Sequence, residues 1–270
     1  MKKILIYTTV LTIFLSFISC NTGNETESEK KQETKTEQKK DCKDVHWSHH
    51  SGEDGPENWK NLCEGFSDCG GRFQSPVNII TDSIAENSNL AAITFNYGDS
   101  KVNIINNSHT VQFNISGENN ITINNRKYKL LQFHFHTSSE HTVNGNYFPA
   151  EVHFVHQSED GNYAVIAAFY EEGEENELFK MYMKYFPTAE GEYTSEDKFD
   201  ILSLLPENKS YYYYKGSLTT PPCSETVSWY ILKNNLSASK EQLEEFAKIL
   251  DNNFRPIQKL NGRKIEEYTE

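Results

Sequence analysis

A chain of 270 residues with a formal net charge of −13 is long enough for one large domain or two small ones. Its acidity gives it no electrostatic reason to hold nucleic acid, so that class of partner is set aside. Five cysteines suit an exported chain better than a cytosolic one.

Lys2 and Lys3, followed by the apolar run 4–19, have the layout of a secretory signal, and the run is short for a membrane span. A small residue, Ser19, stands directly before Cys20, which resembles a bacterial lipobox, although Phe17 occupies the place where leucine is usual. The expectation is a signal peptide over 1–19 and lipidation of Cys20 after cleavage. The product would be an exported lipoprotein facing the periplasm or the cell surface, touching membrane only through that anchor. Residues 21–40 contain no aromatic or aliphatic side chain and cannot offset their own ordering entropy by burial. The stretch 20–41 therefore reads as a lipidated end and flexible tether, and 42–270 as the folded domain. With Cys20 set apart, Cys42, Cys63, Cys69 and Cys223 remain, an even number that allows three pairings among which the sequence does not choose. The absence of a Cys-x-x-Cys pattern argues against a thiolate zinc site or a redox motif.

Residues 46–62 mix Trp, His, Gly and Pro without a period and read as an irregular arm anchored by Trp47 and Trp59. Short β-branched or alternating segments follow at 92–97, 102–106, 111–115, 121–123 and 127–131, separated by Asn, Gly and Ser as in a meander. Asn124-Asn125 and Asn144-Gly145 are turn signals. The continuous apolar run 163–170 predicts a strand buried on both faces. Residues 171–200 are acidic and mixed, with a helix expected over 174–185. Strands are expected at 211–214 and 225–232. The clearest helix is 240–252, where Ser239 and Gln242 form a capping box and Leu243, Phe246, Ala247 and Leu250 share one face. The result is a mainly β domain with a few short helices and no internal repeat.

The chemistry concentrates in two strands, Leu130-Leu-Gln-Phe-His-Phe-His136 and Ala150-Glu-Val-His-Phe-Val-His156. A period of two places Gln132, His134 and His136 on one face and Leu131, Phe133 and Phe135 on the other. It likewise separates Glu151, His153 and Val155 from Val152 and Phe154. Imidazoles at i and i+2, about 6.6–6.8 Å apart along a strand, can reach one metal if a third closes the site from a neighbouring strand. Gln132 and Glu151, each two residues from a histidine, are suited to fix ligand tautomers. One His-x-His alone reads equally well as a solvent-facing strand; the answering strand, with its own histidine and carboxylate, favours a metal site.

From Trp47 to about Ile265 the sequence resembles the α-class carbonic anhydrases. The likeness is carried by Gly55-Pro-Glu-Asn-Trp59, Gln74-Ser-Pro-Val-Asn-Ile79, Asn106-Asn-Ser-His109, Gln132-Phe-His-Phe-His136, Ser139-Glu-His141, Ala150-Glu-Val-His-Phe-Val-His156, Gly216-Ser-Leu-Thr-Thr-Pro-Pro-Cys223 and Asn253-Phe-Arg-Pro-Ile-Gln258, in that order. It implies a large central twisted, mainly antiparallel sheet with a conical zinc cleft. It also implies zinc-dependent, reversible hydration of CO2 to bicarbonate and a proton, by attack of zinc-bound hydroxide with histidine proton shuttling. By the same likeness His134, His136 and His153 are the Zn2+ ligands, and Gln132 and Glu151 accept from two of their rings. Thr219 and Glu140 orient the attacking group. Val155, Val165, Leu218, Thr220 and Trp229 form the substrate pocket. His109 is the proton shuttle, with Asn107, Gln112 and Tyr214 in the water network. Bacterial relatives imply a bridge from Cys69 to Cys223, which leaves Cys42 and Cys63 to each other. Three positions depart from the family pattern: His49 stands where a water-network tyrosine is common, Thr137 where animal enzymes have Trp, and Lys215 where proline is frequent. A monomer or homodimer is expected. Two rival classes are a catalytically dead binding module and a zinc hydrolase acting on esters; the first commonly lacks a zinc histidine, and all three are present here.

Overall fold

The computed structural model describes residues 41–187 and 189–270; the expected signal peptide, Cys20 and nearly all of the tether lie outside them. The described residues form a 13-stranded sheet and a small two-stranded one. From one edge, Gly191–Asp200 pairs with Asp99–Asn106, then come Val111–Asn114, Arg126–His136, Ala150–Gln157 and Tyr163–Glu172, all antiparallel. Beyond that point the sheet turns mixed. Val227–Leu232 runs parallel to Tyr163–Glu172, and Tyr211–Gly216 and Glu266–Tyr268 then pair antiparallel. The apolar run at 163–170 is thus a central strand covered on both faces, as its composition predicts.

One face of the sheet packs on the main core. Phe113, Phe133, Phe135 and Phe154 meet there, and the helix Lys240–Leu250 covers them through Phe246, whose ring lies 5.0 Å from that of Phe135. Each aromatic buried in this way contributes on the order of 1.5–3 kcal/mol. The Ser239–Gln242 capping box forms at the helix start. The helix stops two residues short of the expected 252, because Asp251 and Asn252 both turn left-handed.

Three sequence expectations shift. Leu131 does not join Phe133 and Phe135 on the core face. A bulge between Leu130 and Gln132 interrupts the alternation, so Leu130 is buried while Leu131 is exposed. The segment 127–131 and the histidine strand are one element, Arg126–His136. Within 171–200 the helix contracts to Glu177–Met183, and Gly191–Asp200 is a strand that the composition hides. That strand is an edge, wet along most of its length, with only Phe199 buried, so it shows no apolar period.

Candidate active site

Register places the site. Gln112 lies opposite His134, His134 opposite His153, and His153 opposite Ala167, forming one row across four strands. The next row runs Gln132, Val155, Val165 and Trp229. Adjacent strands sit about 4.8 Å apart, so a polar row beside an apolar one lies on the face opposite the aromatic core.

His134, His136 and His153 each offer one ligand atom, and these atoms lie within 4.8 Å of one another. Each ring has its other nitrogen engaged. His134 Nδ1 donates to Gln132 Oε1 at 2.8 Å, and His153 Nε2 donates to Glu151 Oε1 at 2.8 Å. His136 Nδ1 donates to the backbone oxygen of Asn253 at 2.7 Å. That third acceptor is a main-chain group with no sequence signature, and only its place in the Asn253-Phe-Arg-Pro motif could have drawn attention to it. The nitrogens left over are His134 Nε2, His136 Nε2 and His153 Nδ1; His136 Nε2 is buried without a hydrogen-bond partner. Burial, and then the neighbouring imidazoles, hold His134 well below the ordinary histidine value. Burial also lowers His136, against the pull of Glu140. Both rings are therefore neutral near pH 7.

Glu151 is fully buried and accepts four hydrogen bonds. Oε1 takes His153 Nε2 and His141 Nδ1, and Oε2 takes the backbone N–H groups of Glu140 and His141 at 2.8 and 2.9 Å. Burial opposes its charge, but His141 and His153 outweigh burial and hold the carboxyl well below the usual range. Behind it, His141 Nε2 accepts from the Tyr214 hydroxyl at 2.6 Å, and that hydroxyl also contacts Ser75 Oγ at 2.9 Å. Tyr214, expected in the water network, thus lies in a buried chain behind Glu151 and not among the residues lining the cavity. The sequence motif contained His141 but assigned it no role.

Glu140 Oε1 accepts from the Arg255 backbone N–H at 2.8 Å. Its Oε2 sits 3.6 Å from His136 Nε2 and 3.9 Å from His153 Nδ1. The Thr219 hydroxyl is near enough to stabilise the Glu140 carboxylate, yet Oε2 makes no hydrogen bond of full geometry. Burial resists ionisation of Glu140; His136, His153 and the hydrogen bonds of Thr219 and Arg255 prevail and hold its carboxyl below the ordinary value. Val155, Val165 and Trp229 pack together with Leu218 against them. The Trp229 ring lies 4.8 Å from that of His153.

These elements open into a cavity of about 130 Å³ lined by Gln132, His134, His136, Thr220 and, towards the mouth, Asn107, Gln112, His109, Trp47 and His49. A sequence profile described as eukaryotic-type carbonic anhydrase matches residues 54–269. The chain belongs to the α-class carbonic anhydrase family. A carbonic anhydrase of Neisseria gonorrhoeae is 43% identical over 226 residues, 83% of this chain and 88% of its own length. Carbonic anhydrase 7 of Homo sapiens is 33% identical, covering 79% of this chain and 94% of its own. The solved α-carbonic anhydrase of Thermovibrio ammonificans, in complex with the inhibitor sulfanilamide, superposes with a TM-score of 0.79 at 39% identity, over 82% of this chain and 99% of its own. Dioscorin complexed with ascorbate shares the fold at a TM-score of 0.77 and 29% identity, over 83% of this chain and 98% of its own. This chain is an enzyme, a carbonic anhydrase.

At the mouth of this carbonic anhydrase, His109 stacks on Trp47 with ring centroids 3.8 Å apart and planes 7° from parallel. Asn107 Oδ1 accepts from the His109 and Thr110 backbone N–H groups, so it shapes the turn that presents the ring. Gln112 Nε2 donates to Asn114 Oδ1 at 2.6 Å. His49 packs edge-on against Trp47, Trp59 and His109. Burial pushes it down to about 3, so it carries no charge at neutral pH. The disulfides join Cys42 to Cys63 and Cys69 to Cys223, the pairing that the family likeness implies. Cys69–Cys223 ties the Thr219 loop to the segment before Gln74, and Gln74 Nε2 adds hydrogen bonds to the Cys223 carbonyl and to Glu225 Oε1.

Proposed function

We propose that this carbonic anhydrase catalyses reversible hydration of CO2 to bicarbonate and a proton, with Zn2+ held by His134, His136 and His153. The observation that carries the reading is a set of three imidazoles whose outer nitrogens are anchored and whose inner nitrogens converge. A buried His136 Nε2 and a buried Glu140 Oε2, both without partners, fit a bound cation with a hydrogen-bonding group beside it.

Zinc held by these three rings would supply a positive centre able to make water acidic near neutral pH. The Gln132 side chain, the Asn253 carbonyl and the Glu151 carboxylate fix which nitrogen of each ring faces that centre. Ionised Glu140 is acceptor-only, so the Thr219 hydroxyl donates its hydrogen bond to it. The Thr219 oxygen is then left as an acceptor and selects an incoming group that still carries a proton. Val155, Val165, Leu218 and Trp229 form an apolar cluster beside His153 suited to a small non-polar molecule, while of the expected pocket residues Thr220 lines the cavity itself. His109, half-buried at the mouth, passes the released proton to bulk solvent. Burial lowers its pKa, as does His46, against an opposing effect of Glu190, which favours quick release.

Purified protein from residue 41 onward is expected to hold one zinc per chain and to hydrate CO2 in a stopped-flow assay. Zinc-loaded protein with no CO2 hydration would refute the reading, and ester turnover exceeding CO2 hydration on one preparation would favour the hydrolase alternative. Export and anchoring through Cys20 complete the proposal. Palmitate labelling lost in Cys20→Ala, with membrane release, is the expected result.

A further inference from the structure

Arg255 is 1% exposed and has no carboxylate within ion-pairing distance among the described residues. Its guanidinium is met by neutral groups. Nη1 donates to Gln74 Oε1 at 2.8 Å and to the Ser75 carbonyl at 2.9 Å, Nη2 donates to the Cys69 carbonyl at 3.1 Å, and the Trp59 ring lies 5.3 Å from the guanidinium carbon. A buried guanidinium with no direct ion pair, its charge favoured through space by Glu140 and its Nε without a hydrogen-bond partner, is a costly way to join two loops, since an apolar contact would serve stability as well. What distinguishes this one is what its backbone holds. The Arg255 N–H fixes Glu140 Oε1, and two residues earlier the Asn253 carbonyl fixes His136. The acceptors of the fork belong to the segment that carries Cys69 and Gln74, both tied to Cys223, four residues past Thr219. One side chain therefore joins the strip that holds Glu140 to the loop that bears Thr219.

We propose that Arg255 is a positioning residue for the Glu140–Thr219 pair, its guanidinium fork setting the distance between the backbone donor on Glu140 and the Thr219 loop. The inference rests on the role given to that pair above. A planar guanidinium that reaches three acceptors from two nitrogens sets that distance in a way a point charge cannot. Arg255→Lys and Arg255→Met should both lower kcat/KM about 10- to 100-fold at full zinc content, with KM little changed. The test is a double-mutant cycle with Thr219→Ala, at a temperature where every variant is folded. If Arg255 acts through the pair, Thr219→Ala/Arg255→Met loses no more rate than Thr219→Ala alone; losses that multiply, or wild-type kcat/KM in Arg255→Met, overturn the proposal. Thr219→Ala at wild-type rate would instead sink the reading of the pair itself. A readout independent of turnover is hydrogen exchange of the metal-free protein. In Arg255→Lys the residue-255 amide should lose at least about tenfold protection while the Phe154 amide keeps its own; unchanged protection at 255 refutes the proposal. Should Arg255→Met fail to fold, Arg255→Lys replaces it in the cycle.

Discussion

Glu151→Gln isolates the buried carboxylate on which two histidines and two backbone amides converge. Its four donors are all satisfied, and each oxygen accepts two. An amide keeps one oxygen and converts the other into an NH2 group. With its oxygen towards the rings, the NH2 faces the Glu140 and His141 backbone N–H groups, donor against donor. Flipped, the NH2 faces the rings, and His153 accepts only if its proton moves to Nδ1, the nitrogen left for the metal. In the first orientation two buried donors lose their partner, at about 1–3 kcal/mol each, for a loss of about 2–6 kcal/mol. In the second, metal affinity should fall at least about 10- to 100-fold. Urea unfolding of metal-free protein at pH 7, with zinc competition against a chelator, separates the two. A variant within about 0.5 kcal/mol of wild type, the range of an ordinary surface change, that also keeps full zinc affinity would refute the network as drawn.

Acidification provides a second test. His134 and His136 are lowered in the folded state, and His49 and His156 are each lowered to about 3, in every case first by burial. The unfolded chain therefore takes up protons first, and metal-free protein should lose stability as pH falls below about 6.5, by up to about 1.4 kcal/mol per pH unit for each such ring. Glu151, depressed well below its ordinary value, adds stability above about pH 4.3 that disappears as pH falls towards its folded pKa. A flat profile from pH 7 to about 5 would contradict the buried neutral histidines. His136→Ala should abolish zinc binding while far-UV circular dichroism stays β-rich; retained zinc removes it from the ligand set. His109→Ala should slow hydration in weak buffer and recover with added imidazole, with zinc unchanged, whereas an unchanged rate at low buffer places the relay elsewhere. Cys69→Ser/Cys223→Ser opens a loop whose ends are 154 residues apart and should cost up to about 5 kcal/mol in urea unfolding. The folded fraction should keep most of its activity, because Gln74 and Glu225 still hold the Thr219 loop.

The histidine cluster was legible because a period of two puts His134 and His136 on one face, and His153 joins them once the strands pair. The apolar cluster of Val155, Val165 and Trp229 was legible only through the family likeness, since nothing local marks Val165 and Trp229 as neighbours of Val155; the register does that. What escaped the sequence was mostly backbone or shape. The Asn253 carbonyl lies 117 residues from the ring it orients. The bulge at Leu131 moves one side chain to solvent without any Gly or Pro to announce it. Tyr214 fitted the family motif, but its hydroxyl turns away from the cavity towards His141 and Ser75. The edge strand Gly191–Asp200 is too polar to show its period, because both of its faces are largely wet.

The three histidines do not share the same exposure to genetic change. His134 and His153 are steered by side chains, Gln132 and Glu151, which a single missense mutation replaces. His136 is steered by a main-chain oxygen, which every residue at position 253 would still provide. Mutations at 253 would act on that ring only by moving the backbone, through the Asn253 amide that caps the Thr137 N–H and the Phe135 and His109 carbonyls. Inherited damage to metal retention should therefore cluster at 132 and 151, and substitutions at 253 should surface first as heat-sensitive alleles that still bind zinc in the cold.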